Sequence, residues 1–204
     1  MNIPFIVIHV IQCIISNEWS LATISTIMHN IQQPFLNHYF ADTWNDSIGQ
    51  YIYSGFAICD KISPSETVID VGCGANHFKS RLSNVVGIDP ANTKADIVTT
   101  IEDYTTHKQF DVALCLGSIN FGNHEFVKLQ IAHVVELLKP HARIYWRCNP
   151  GEHDHPNKEC NAIDFYPWTF ERHHLLAVEF GFKIKSAAID SNKVHKRLYC
   201  EWHR

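Results

Sequence analysis

A short apolar run, Val68-Ile69-Asp70-Val71, leads straight into Gly72-Cys73-Gly74 and then Ala75-Asn76. A strand-length run that ends in two closely spaced glycines needs a sharp turn, and bare backbone there lets a ligand approach without a Cβ in the way. Alone, such a turn is a weak signal. The next apolar run, Val85 to Ile88, ends in Asp89, 15 residues beyond Gly74. An acid at that edge accepts hydrogen bonds from both hydroxyls of a ribose. The pair predicts an α/β sheet with a nucleoside-bearing ligand at the glycine turn. The bland alternative is two ordinary turns of such a sheet.

The rest of the chain alternates strand and helix patterns in the manner of a parallel sheet. Asp96–Thr100 is a weak third strand carried by Ile97 and Val98, and Phe110–Leu116 is apolar enough to be buried on both faces. Phe126, Leu129, Ile131, Val134, Val135 and Leu138 recur near helical spacing, and Lys139-Pro140 stops that helix. Ala142–Arg147 reads as a fifth strand. Trp168–Phe180 reads as a helix closed by Gly181, followed by strands near Phe182–Ile189 and Lys196–Trp202. A helix is also expected directly after the glycine turn.

Residues 1–60 contain no Lys or Arg, against Glu18, Asp42, Asp46 and Asp60. This segment reads as an N-terminal, mainly helical extension or lid over 1–60, laid across a core of residues 61–204. The apolar start, Ile3 to Ile15, is interrupted by Pro4, His9 and Gln12. It falls short of the ~20 residues of a spanning helix and lacks the basic start of a signal peptide. The expectation is a segment that packs on the domain; the alternatives are a peripheral membrane contact and a start at Met28. A net charge of −4 argues against a duplex-DNA binder. Seven scattered cysteines argue against a disulfide framework and for a reducing, cytoplasmic setting.

Two nucleoside ligands compete for the glycine turn. A dinucleotide fold wants G-x-G-x-x-G, and Phe78 and Lys79 occupy the neighbourhood of the third glycine. With Phe110-Asp111-Val112-Ala113-Leu114-Cys115, Leu137-Leu138-Lys139-Pro140, Trp168-Thr169-Phe170 and Glu179-Phe180-Gly181-Phe182 following in order, the region 62–204 resembles the class I S-adenosylmethionine-dependent methyltransferases. The resemblance implies a Rossmann-like, doubly wound, seven-stranded mostly parallel sheet with its last strand antiparallel, and S-adenosylmethionine as cofactor. It implies that Gly72 and Gly74 back the methionine portion, that Asp70 lies at the foot of the turn, and that Cys73 contributes backbone. Asp89 would hold the ribose, Ile101 with Glu102, ahead of Asp103, the adenine, and Leu116, Gly117 and Ser118 the other side of the cofactor. Asn76 departs from the family's frequent third glycine, and Thr100 from its common acid after the third strand.

Methyl transfer is an in-line displacement at an activated sulfonium carbon, so alignment and exclusion of water matter most. A base is needed only when the acceptor has a proton to lose. The loop after the fourth strand, Leu116-Gly117-Ser118-Ile119-Asn120-Phe121, lacks the Asp/Asn-Pro-Pro-aromatic element of amino methyltransferases acting on nucleic-acid bases. No Pro-Cys pair occurs, and Cys148, followed by Asn149-Pro150, reads as a buried strand thiol rather than a nucleophile.

Asn149–Pro167 carries His153, Asp154, His155 and Cys160. A solvated or substrate-facing loop is the plain reading, with His153 or His155 as base the next. Metal spacing there is non-standard, so no metal is expected. Tyr51 is a further candidate, and Tyr51 and Tyr53 could lay aromatic faces over the sulfonium. A small-molecule acceptor is expected. The alternatives are RNA, for which the basic C-terminal stretch speaks, a cofactor-binding partner or sensor without catalysis, and a related transferase moving another group.

Overall fold

The computed structural model describes residues 51–150, 165–191 and 196–204. Among these the strands are β1 (Val68–Val71), β2 (Val85–Asp89), β3 (Ile97–Val98), β4 (Phe110–Cys115), β5 (Leu138–Cys148), β6 (Lys183–Ser191) and β7 (Lys196–His203). They form one sheet in the order β3-β2-β1-β4-β5-β7-β6. β1 runs parallel to β2 and β4, and β4 to β5, whereas β7 lies antiparallel between β5 and β6. The sequence leads outward from β1 to β3, then returns to β4 on the other flank. That reversal leaves a crevice at the carboxyl ends of β1 and β4, where sheets of this kind take their ligands.

Every residue of β1 is buried, as are all but Asp111 in β4, which explains why both read as continuous apolar runs. The principal core joins Ile69, Val71, Ala113 and Ile144 to helix α1 (His124–Glu136) through Val127, Ile131 and Val134, and to helix α2 (Phe170–Glu179) through Leu176 and Ala177. Each large aliphatic chain so buried contributes roughly 1.5–3 kcal/mol over exposure. The opposite face packs Val68, Val112, Leu114 and Tyr199 against Ile58, Ile62, Phe78 and Leu82. Lys61 ties a 3-10 turn (Phe56–Lys61) to this face by donating to the Tyr199 hydroxyl at 3.0 Å and pairing with Glu201.

The helix ends follow from capping. Asn123 accepts from Phe126 N at 2.9 Å to open α1, and Thr169 accepts from Arg172 N at 3.1 Å to open α2. Trp168, expected inside α2, instead precedes its cap and is fully buried, donating Nε1–H to Ile119 O at 2.8 Å. β5 starts at Leu138, earlier than the apolar pattern implied, and runs through Pro140. It can do so because the β4–β5 register shifts between Phe110 and Val112, relieving the ladder bond that a proline cannot donate.

One expectation is corrected. In place of a helix after the glycine turn stands a single 3-10 turn, His77–Ser80. Asn76 is left-handed (φ 57°), so helical winding starts only at His77, and Asn84 is already fixed by donation from Val68 N to its carbonyl at 2.9 Å. Phe78 and Leu82 anchor this short crossing in the core.

Candidate functional site

At the end of β1 the backbone is left-handed at Gly72 (φ 66°) and Gly74 (φ 53°). The two glycines are required for different reasons. A Cβ on Gly72 would stand 2.4 Å from Ser118 Cβ, because the loop leaving β4 lies directly on the turn. A Cβ on Gly74 would meet nothing within 4 Å, and the same holds for Gly117 (φ 115°). Backbone conformation alone demands glycine at those two positions, and both face open space.

Asp89, at the end of β2 and only 9% exposed, ties the two turns together. Its Oδ2 accepts from Gly74 N at 2.9 Å, and its Oδ1 accepts from Ala91 N and Asn92 N, each at 2.8 Å. Cys73 N donates to Ile88 O at 3.0 Å, completing the seam. Asp70 is buried within β1, beneath the turn. Burial, together with the Asp70 and Asp89 charges, pushes the Cys73 thiol far up, so it stays protonated. Burial likewise raises the Cys148 thiol well above its ordinary range, which fits the reading as an inert strand thiol.

Asn76 occupies the place of the missing third glycine without losing its conformation, since asparagine tolerates the left-handed region better than most residues. Its Nδ2 donates to Lys94 O at 3.1 Å, bracing the turn after β2. Gly87 matters for the same reason: a Cβ there would stand 2.6 Å from Asn76 Oδ1 and 2.9 Å from Cys73 Sγ.

After β3, Ile101 is buried in the principal core. Glu102 accepts from Gln130 Nε2 of α1 at 2.7 Å, so one carboxylate oxygen is already engaged. Thr100 and Asp103 close on each other, with Thr100 Oγ1 donating to Asp103 Oδ2 at 3.0 Å. Beyond β4, Leu116 is buried, and its carbonyl accepts from Arg147 Nη2 at 2.7 Å.

Tyr51 lies 6% exposed with its ring over the Arg147 guanidinium, 4.4 Å from centroid to Cζ. One aromatic face is therefore spent on a cation of the protein itself. Tyr53 turns elsewhere and stacks on Tyr199 with centroids 5.8 Å apart. Asp190 of β6 gathers Ile52 N, Tyr53 N and Ser54 N on its carboxylate.

The structure thus brings Cys73, Gly74 and Asp89 into one hydrogen-bonded seam between the ends of β1 and β2, with Ser118, next to Gly117, against Gly72. His153 and His155 lie outside the described residues. Among the described residues no group of three His, Cys, Asp or Glu side chains is placed to hold a metal. Sequence reasoning missed Gly87, Arg147 and Asp190. The available signal was charge inside apolar patterns: Arg147 between Trp146 and Cys148, and Asp190 after Ile189. A cavity of about 650 Å³ opens at the other end of β1, lined by Phe56, Ile62, Glu66, Arg81 and Asn84 among others, and shares no residue with this site.

No protein-family model matches the sequence, and no curated protein does. Solved structures do. The Burkholderia thailandensis 1,6-didemethyltoxoflavin-N1-methyltransferase, with 1,6-didemethyltoxoflavin and S-adenosylhomocysteine bound, matches with a TM-score of 0.70 at 16% identity, covering 91% of this chain and 92% of that one. The magnesium protoporphyrin IX methyltransferase of Synechocystis PCC 6803, with S-adenosylhomocysteine bound, matches at 0.59 and 15%, covering 88% and 99%. The N-methyltransferase NodS of Bradyrhizobium japonicum matches at 0.51 and 12%, covering 68% and 78%. At these identities the likeness establishes the fold alone, a Rossmann-like sheet shared with these three methyltransferases.

Proposed function

We propose that this chain binds S-adenosylmethionine at the carboxyl ends of β1, β2 and β4 and transfers its methyl group to a small-molecule acceptor. The observation that carries the reading is the Gly74–Asp89 unit. A turn of bare, left-handed backbone faces open space beside a carboxylate that is 2.9 Å from its amide. That donor set fits a nucleoside joined to an amino-acid tail: hydroxyls need the acceptor, and the tail needs close approach to backbone. The matched structures that hold S-adenosylhomocysteine share this fold.

In this reading Asp89 accepts from one ribose hydroxyl; its three amide donors leave one of a carboxylate's about four lone-pair directions unused. Gly72, Cys73 and Gly74 back the methionine end, and Asp70 orders the turn from below. Ile101 packs on the adenine, and the second oxygen of Glu102 accepts from its amino group. Leu116 and Gly117 line the opposite wall. The cofactor supplies an electrophilic methyl on a sulfonium; the chain's task is to hold donor and acceptor in line and keep water out. His153, His155 and Tyr51 are the groups proposed to take a proton where the acceptor has one to lose.

The segment 1–60 is proposed as the extension that covers the acceptor, which its described end supports by packing on Arg147 and Asp190. The sensor alternative rested on Asn76 and Thr100, and Asn76 keeps the left-handed turn that glycine would supply. No helix among the described residues is long and apolar enough to cross a membrane. Cys59, Cys73, Cys115, Cys148 and Cys200 are all free thiols, in keeping with the proposed cytoplasmic setting.

Calorimetric titration with S-adenosylmethionine and S-adenosylhomocysteine tests the reading. Micromolar binding that Gly74→Arg and Asp89→Ala both abolish is the expected result. Absence of binding by folded, unaltered protein would overturn it.

A further inference from the structure

β6 is an edge strand in which Asp190 alone is fully buried. A carboxylate removed from water needs donors, and here they come from a segment more than a hundred residues away in sequence. Oδ1 accepts from Ile52 N at 2.9 Å. Oδ2 accepts from Tyr53 N at 3.2 Å, Ser54 N at 2.7 Å and Ser54 Oγ at 2.6 Å. Three consecutive amides on one carboxylate pin residues 51–54 to the sheet as a strap, and Ser54 is fully buried beneath it.

Arg147, near the end of β5, joins this strap to the candidate site. Its Nη1 donates to Ser54 O at 3.2 Å, its Nη2 donates to Leu116 O at 2.7 Å, and its guanidinium face carries the Tyr51 ring. The Leu116 contact has a geometric consequence. A trans peptide points its N–H opposite to its C=O. With the Leu116 carbonyl held by Arg147, the Gly117 N–H points away from the guanidinium. Gly117 itself faces open space, next to Ser118, which rests against Gly72 of the glycine turn.

We propose that Arg147 is a positioning residue of the cofactor site. It holds the Leu116–Gly117 peptide so that the Gly117 amide serves as a donor to the bound cofactor, and the strap 51–54 in turn holds Arg147. Cofactor binding and strap docking then stabilise each other, by the same factor in each direction. The inference rests on the reading that this site takes S-adenosylmethionine or its product.

The test uses S-adenosylhomocysteine as probe, with hydrogen exchange over residues 51–54 and calorimetry on the full chain. On unaltered protein the probe is expected to slow exchange at Ile52, Tyr53 and Ser54. Arg147→Met, and Arg147→Lys with its charge kept but its fork lost, are expected to weaken the probe about tenfold, the scale of one charge-assisted hydrogen bond, and to abolish that slowing. Asp190→Asn is expected to speed exchange of the strap and to weaken the probe.

Unchanged exchange at 52–54 on saturation overturns the coupling, and that measurement needs no variant to fold. Wild-type affinity in a folded Arg147→Met protein overturns the positioning role. Failure of the unaltered protein to bind the probe overturns the function reading itself, and is distinguished by occurring before any substitution is made.

Discussion

The amide of Gly74 donates to Asp89 Oδ2 at 2.9 Å, which makes the turn after β1 and the acid at the end of β2 one structural unit. The carboxylate therefore has a folding role as well as its proposed binding role. It terminates three backbone N–H groups, and removing it leaves them to find water. Asp89→Ala is expected to lower stability by about 1–3 kcal/mol, the scale of stranding hydrogen-bonding groups, as well as to abolish cofactor binding. Asp89→Asn keeps part of the acceptor capacity and is expected to fall between the two. Thermal melts beside calorimetry separate the two effects.

The two glycines of the turn are expected to differ in their tolerance of alanine. At Gly74 the only cost is the left-handed backbone, about 1–2 kcal/mol. At Gly72 the same cost is joined by a clash, with Ser118 Cβ 2.4 Å from the added atom, and overpacking of this kind typically adds about 1–3 kcal/mol. Gly72→Ala combined with Ser118→Gly is expected to recover much of that second part. Denaturant unfolding of the single and double variants, set out as a double-mutant cycle, measures the coupling; strict additivity would contradict the contact.

Asn76 is expected to tolerate glycine and to resist a β-branched residue. Its φ of 57° suits asparagine or glycine, and Asn76→Gly loses side-chain hydrogen bonds, among them the Nδ2 donation to Lys94 O, each an effect of about 1 kcal/mol. Asn76→Val is expected to cost more, because a β-branched chain in that region is a steric outlier. Equal melting temperatures for the two variants would show that the conformation at residue 76 is not what matters.

His173 supplies the clearest acid sensitivity. It lies in the aromatic core, 4.3 Å from the Trp168 ring and 6.0 Å from Trp146 by centroids, with no hydrogen-bond partner on either ring nitrogen among the described residues. Burial lowers its pKa to about 3. The unfolded chain takes up this proton near the ordinary value, so above that value the group has no pH-linked effect. As pH falls from about 6.5 toward 3, stability is lost at about 1.4 kcal/mol per pH unit. His173→Phe is expected to flatten the urea-unfolding free energy over that window and to stabilise the protein at neutral pH by removing an unpaired polar group. A pH profile unchanged by the substitution would refute the assignment.

The strand centres were legible because β1 and β4 are buried on both faces, and burial on both faces leaves an apolar run that survives without knowledge of neighbours. Asp89 was legible by position, as the acid that ends the second strand 15 residues beyond the glycine turn. The helix expected after that turn was wrong because the residues from His77 onward have some helical character, and nothing local reveals that Asn76 winds left-handed beforehand. The early start of β5 through Pro140 was hidden for a similar reason: the register shift that permits it belongs to the pairing with β4.

Sequence by itself determined the class of sheet, the places of its central strands along the chain and the glycine turn with its acid. Those depend on local periodicity and on residues 15 apart, and such patterns are written along the chain. Only the tertiary structure decided that Ser118 bears on Gly72, that Arg147 grips the Leu116 carbonyl, and that Asp190 captures the amides of residues 52–54. Each of these contacts joins groups at least 31 residues apart, and the last spans 136 or more. A charged side chain in an apolar run signals that a partner exists, but the identity of the partner is settled by which strands lie side by side, and that is a property of the folded sheet.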